Sequence, residues 1–105
     1  MAQVIWNKKA SIQLEAHLDY ALEVFGCQTV NNWYTDIRRI ESRLTIFPKS
    51  FTPEPLLKNR DKEYRGAILM KNFKLIHYYD ETKDVVYIDA VWDMRMHPNK
   101  LKRSF

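Results

Sequence analysis

The chain has 105 residues, of which 46% are hydrophobic and 29% charged, with only two glycines and four prolines. This length and composition describe one globular domain with a real core, and they exclude a disordered chain and a multidomain enzyme built on a cofactor fold. The formal net charge is +4, and a single cysteine, Cys27, excludes an internal disulfide, a thiolate metal cluster and a redox pair.

Residues 3–6 form a short apolar run before Asn7, a good helix N-cap, so a first strand and then a helix start are expected. From Lys8 to Phe25 the residues Ala10, Leu14, Leu18, Ala21, Leu22 and Phe25 recur at helical spacing, and Glu15, Asp19 and Glu23 make an acidic row. Gly26 ends this helix, because glycine takes the left-handed C-terminal position without steric cost. Cys27 then reads as a buried or half-buried spacer in the turn. A second helix follows, in which Val30, Trp33, Ile37, Ile40, Leu44 and Phe47 alternate spacings of three and four before Pro48 closes it. Six such side chains left in water would outweigh the stability of a small domain, so the seam must be packed.

The stretch from Pro48 to Asp61 reads as an extended loop, since its prolines remove donors and push the preceding residues out of the helical region. Three runs of strand composition come next: Glu63 to Met70, Phe73 to Asp80 and Val85 to Trp92. Lys71-Asn72 and Glu81 to Asp84 between them have turn chemistry, so an antiparallel meander is expected. Alternation in the last run puts Val86, Ile88, Ala90 and Trp92 toward the helices. In the other two runs the more apolar set is Tyr64, Gly66, Ile68, Met70 with Phe73, Leu75, His77, Tyr79. If that set faces the core, Arg65, Lys74, Tyr78, Tyr87 and Asp89 share the open face.

Charge is unevenly placed. Residues 1–47 carry five Lys/Arg and five Asp/Glu, while residues 48–105 carry twelve and eight, and Arg95 to Phe105 holds four cations and no acid. A basic sheet half with a basic end is either solvated surface or a footprint for nucleic acid or an acidic protein segment. Lys100, Lys102 and Arg103 read as a mobile tail, with Pro98 fixing the start of a short final helix. No apolar stretch approaches the roughly 18 residues that cross a bilayer, and no leader-like pattern opens the chain, so no membrane contact and a cytoplasmic location are expected.

Taken together, Leu18 to Gly26, Leu44 to Pro48, Arg65, Phe73 to Tyr79 and Val91 to Pro98 resemble, in order and spacing, the RelE/ParE superfamily of bacterial toxins, specifically its ParE-like plasmid stabilization subgroup. The resemblance covers nearly the whole chain. It implies an α+β domain over residues 1–105: a short N-terminal strand, an antiparallel helical hairpin packed on a twisted antiparallel β-sheet, and a short C-terminal helix or tail. It also implies the growth-inhibiting toxin of a type II toxin–antitoxin pair, with a cognate antitoxin as partner and either a homodimer or a toxin–antitoxin hetero-oligomer as assembly. ParE-like members poison DNA gyrase, and RelE-like members cut messenger RNA on the ribosome.

Cutting RNA needs groups that deprotonate a 2′-hydroxyl, neutralise the phosphate and protonate the leaving oxygen. Arg65 and Lys74 match positions where RelE-like enzymes place cations, and Arg95 matches an arginine near the end of the last strand. His97, His77 and Tyr78 are the candidates for proton transfer. A second cation two residues after Arg65 is replaced by Ala67, and the terminal tyrosine has no clear counterpart. The incomplete set favours a gyrase-binding module; the alternatives are an mRNA endoribonuclease and an inactive toxin fold that only binds its antitoxin. Trp6 and Trp92 are candidate antitoxin contacts, whereas Trp33 reads as core. His77 reads more readily as a core or edge histidine than as a base. No cofactor is expected, and His17, His77 and His97 lie in separate elements without ligand spacing, so no metal is expected either.

Overall fold

The computed structural model describes residues 1–105. Strand β1 (Gln3–Trp6) runs into Asn7, whose side-chain oxygen accepts from the Ala10 amide at 3.0 Å and starts α1 (Lys8–Phe25). Gly26 ends that helix with φ 92° and ψ −179°, which is the mirror of an extended conformation rather than the left-handed helical basin the sequence suggests. Its amide bonds the carbonyls of Ala21 and Leu22, and α2 (Cys27–Ile46) begins on the next residue. The hairpin joint is therefore one residue long. Cys27 consequently sits in the first turn of α2 and is exposed, which corrects its reading as a covered spacer.

The α2 seam is real but shorter than its pattern. Trp33, Ile37, Ile40 and Leu44 are buried, Val30 is half-buried, and Phe47, just past the last turn, is exposed. Burying each of these four side chains contributes about 1.5–3 kcal/mol, so α2 is fixed by its inner face and not by propensity.

Strands β2 (Arg65–Leu69), β3 (Phe73–Asp80) and β4 (Val85–Asp93) form the expected antiparallel meander. Strand β1 adds to it in parallel beside β4, so the sheet is mixed, has four strands and runs in the order β1-β4-β3-β2. The β2–β3 turn takes its positive φ values at Met70 and Lys71, one residue earlier than Lys71-Asn72, and the Met70 amide is held by Asp36 at 2.9 Å.

Two face assignments change. In β2 the buried residues are Ala67 and Leu69 while Ile68 is 50% exposed, so the core parity is the reverse of the one its apolar count suggests. Arg65 pairs with His77, Ala67 with Leu75 and Leu69 with Phe73, which puts all six on the hairpin side. In β4 a register irregularity opposite Ile76 and His77 leaves Asp89 as an extra residue, since His77 pairs with Ile88 and Ile76 with Ala90. Val86, Ile88 and Val91 therefore join the hairpin core, whereas Ala90 packs with Ile76 and Trp92 on the far side.

That far side is not open. A 3-10 turn (Pro55–Leu57) and α3 (Pro98–Ser104) cover part of it, burying Leu57, Ile76, Ala90 and Leu101 together. The basic end is thus anchored rather than a loose tail: Arg60 donates to the carbonyls of Phe105 at 2.9 Å and Lys102 at 2.8 Å, and Lys9 to that of Ser104 at 3.3 Å. No helix is long and apolar enough to cross a membrane.

Candidate functional site

The three cations that the sequence suggests as a phosphate clamp do not meet. Arg65 lies on the hairpin face, where Nη1 donates to the Phe51 carbonyl at 2.7 Å and Nη2 to Glu63 at 2.5 Å. Lys74 lies on the far face, its ammonium 2.6 Å from Oε1 of Glu54. Glu54 is 3% exposed, between Pro53 and Pro55. Gly66 makes this pair possible, because the Lys74 stem crosses the space that any Cβ at 66 would fill. Arg95 follows Asp93, which pairs with Phe73; Arg65 pairs with His77. Four strand steps, roughly 13 Å, separate those two ends of β3, and each guanidinium turns to partners at its own end, Arg65 to Phe51 and Glu63, Arg95 to Asp93.

Each cation also has an acid of its own. Arg95 donates Nε to Asp93 at 2.9 Å and Nη2 at 3.0 Å, and these bonds hold the Asp93 carboxyl below its ordinary range. Arg65, Lys74 and Arg95 therefore occupy three separate ion pairs, and the platform of convergent charge expected from the sequence is absent.

The proton-transfer candidates are equally divided. His97 caps α3, its Nδ1 accepting from the Asn99 amide at 3.1 Å. His77 is fully buried. Its Nδ1 faces the Leu75 carbonyl at 2.9 Å and must donate, which leaves Nε2 as an acceptor with no partner. Burial, reinforced by the charge of Arg65, lowers its pKa to about 4, so this imidazole is neutral near pH 7. Tyr78 is half-buried on the far face, stacked on Tyr87 at 5.3 Å and meeting Tyr64 edge-on at 5.7 Å.

Around Tyr78 the far face gathers what the sequence did not single out. Lys62 lies 4.4 Å over the Tyr78 ring, Tyr64 continues onto Phe105 at 4.8 Å, and Lys9 lies 4.6 Å over Phe105. Asp89, the extra residue of β4, borders this ladder. Burial raises its carboxyl above the ordinary range, opposed by Lys62, Lys9 and the side-chain amide of Asn7 bonded to it. Asn7 thus caps α1 with its oxygen and holds Asp89 with its nitrogen.

Of the tryptophans, Trp33 is 4% exposed and belongs to the core. Trp6 is half-buried and donates Nε1 to Glu41 at 2.9 Å, at the side of a groove of about 570 Å³ between α1 and α2 lined by Leu14, Leu18, Tyr34 and Ile37. Trp92 is half-buried on the far face against the cluster that α3 completes. No three His, Cys, Asp or Glu side chains converge as metal ligands.

Two solved structures share this architecture over nearly its full length. A chromosomal ParDE toxin–antitoxin system from P. aeruginosa superposes with a TM-score of 0.68 at 17% identity, covering 89% of this chain and 96% of that one. A metal-bound toxin from Helicobacter pylori superposes with a TM-score of 0.63 at 13% identity, covering 90% of this chain and 97% of that one. The chain therefore has the RelE/ParE-like toxin fold. No protein-family model and no curated protein matches it in sequence.

Proposed function

We propose that this chain is the toxin of a toxin–antitoxin pair and acts as a ParE-like binding module, arresting growth by engaging DNA gyrase and neutralised by a cognate antitoxin in the cytoplasm. The observation that carries the binding reading is the separation of Arg65, Lys74 and Arg95 into three ion pairs on two faces and at two ends of the sheet. A transition-state phosphate needs preorganised donors aimed at one point, and here each of the three cations is paired with a carboxylate at a different place on the sheet. The shared fold with a toxin–antitoxin system supports the partner assignment. The α1–α2 groove at Trp6 and the far face at Trp92 are the antitoxin contacts of this reading, since an amphipathic or extended segment gains affinity from such apolar floors.

Induced expression without an antitoxin arrests growth, and the purified chain inhibits supercoiling by gyrase while primer extension on ribosome-bound messages shows no new ends. New ends that disappear with Arg65→Ala or Arg95→Ala overturn the binding reading in favour of an mRNA endoribonuclease. Ordinary growth at confirmed soluble expression leaves only an inactive fold that binds its antitoxin.

A further inference from the structure

A cavity of about 420 Å³ opens between the second half of α1, the start of α2, the β2–β3 turn and the residues that follow β4. Small-ligand clefts span roughly 300–1,000 Å³, so it is large enough for one ring system and little more. Its floor is aromatic. Trp33 and Phe73 are 4% and 9% exposed with their rings 4.8 Å apart, and the His17 ring lies 4.7 Å from Phe73. At its mouth Tyr20 and Phe25, 61% and 64% exposed, meet edge-on at 6.2 Å.

One polar arm reaches over this floor. The Arg95 guanidinium lies 5.4 Å above the Phe73 ring, and with Nε and Nη2 engaged by Asp93 its Nη1 makes no hydrogen bond within the chain. The cavity carries almost no net charge: Asp93 balances Arg95, and burial keeps the His17 pKa below its ordinary value and the ring neutral near pH 7.

We propose that this cavity binds a neutral planar aromatic ring bearing a hydrogen-bond acceptor. The ring enters past the Tyr20–Phe25 pair onto Phe73, and the acceptor meets Nη1 of Arg95. Ring-on-ring contact of this kind adds to the burial of the ring itself, and a guanidinium donor fixes its orientation. The ring belongs either to a free small molecule or to an aromatic side chain of a peptide. The inference stands on the cavity alone and does not depend on the target of the toxin.

The test is a titration of the full chain followed by ¹H–¹⁵N spectra, with indole-3-acetamide, a Gly-Gly-Tyr-Gly-Gly amide, whose hydroxyl oxygen accepts, and adenosine monophosphate as probes. The expected result is saturable shifts for indole-3-acetamide confined to Trp33, Asn72, Phe73 and their neighbours, with the nucleotide weaker. Arg95→Met removes a charge-assisted bond worth about 1.5 kcal/mol and weakens binding about tenfold. Phe25→Ser, at an exposed position, weakens it severalfold while the spectrum stays folded. Tighter binding of the peptide identifies a side chain as the source, and tighter binding of the free amide a small molecule. The proposal is overturned by shifts that do not saturate, by tighter binding of the nucleotide, or by affinities that neither variant changes. A thermal midpoint unmoved by saturating indole-3-acetamide overturns it as well.

Discussion

The two faces of the sheet are built to different standards. On the hairpin side fourteen buried residues, from both long helices, strands β2 to β4 and Ala2 just before β1, form one core; on the far side Leu57, Ile76, Ala90 and Leu101 form a core of four. The first face is held by apolar burial, the second by a seven-residue helix tethered through Arg60 and Lys9 to its own carbonyls. Stability and surface chemistry are thus separated: the hairpin side sets the global free energy, while the far side carries the tyrosine ladder, Lys62 and Asp89. Such a division lets the far face open or change without unfolding the domain.

Breaking the strong face should give the largest effect. Leu44→Ala empties a fully buried site and should cost about 2–5 kcal/mol, read as a lower urea midpoint for the whole domain. Next comes acid sensitivity. The unfolded imidazole of His77 takes a proton near pH 6.5, whereas the folded one waits until about 4. Its contribution is therefore complete above pH 6.5 and is lost as the pH falls toward 4, amounting to about 3 kcal/mol at 1.36 kcal/mol per unit. His77→Phe should flatten that part of a pH–stability curve; an unchanged slope would assign it to the carboxylates instead.

Smaller effects are expected on the weaker face. Gly66→Ala drives a methyl group into the Lys74 stem and parts Lys74 from buried Glu54, costing about 1–3 kcal/mol. In the Gly66→Ala/Lys74→Met double variant this loss should not add to that of Lys74→Met, because both changes remove the same contact. Leu101→Ala should be smallest in the global midpoint, less than about 1 kcal/mol, while amide exchange across α3 accelerates and α2 stays protected. Equal loss of protection in both helices would show that the two faces unfold as one.

The sequence displays the hairpin side far better than the far side, for physical reasons. Asn7 and Gly26 mark helix ends through backbone chemistry that needs no tertiary partner, and Trp33, Ile37, Ile40 and Leu44 repeat at the period of the surface they cover. Strand faces are less legible because one inserted residue inverts them. Nothing local marks Asp89 as that residue, yet it turns Ala90 and Trp92 away from Val86 and Ile88. In β2 a small Ala67 faces the core and a large Ile68 faces out, so counting apolar side chains inverts the strand. The placement of the three cations was illegible for the same reason: with the parity of β2 reversed, Arg65 and Lys74 fall on opposite faces. Glu54 had no signature beyond its two prolines, and the cavity beside Arg95 joins residues from four separate stretches of chain.

The joint at Gly26 has one further consequence. A Cβ added there meets nothing within 4 Å, so the position excludes side chains by backbone geometry alone. Its dihedrals are forbidden to an L-residue but coincide with the relaxed extended basin of a D-residue. A D-alanine introduced by chemical ligation should fit without strain and stiffen the unfolded chain, a gain of about 0.4–1 kcal/mol, where L-alanine would be costly. The bend between the helices discriminates by handedness and is indifferent to bulk.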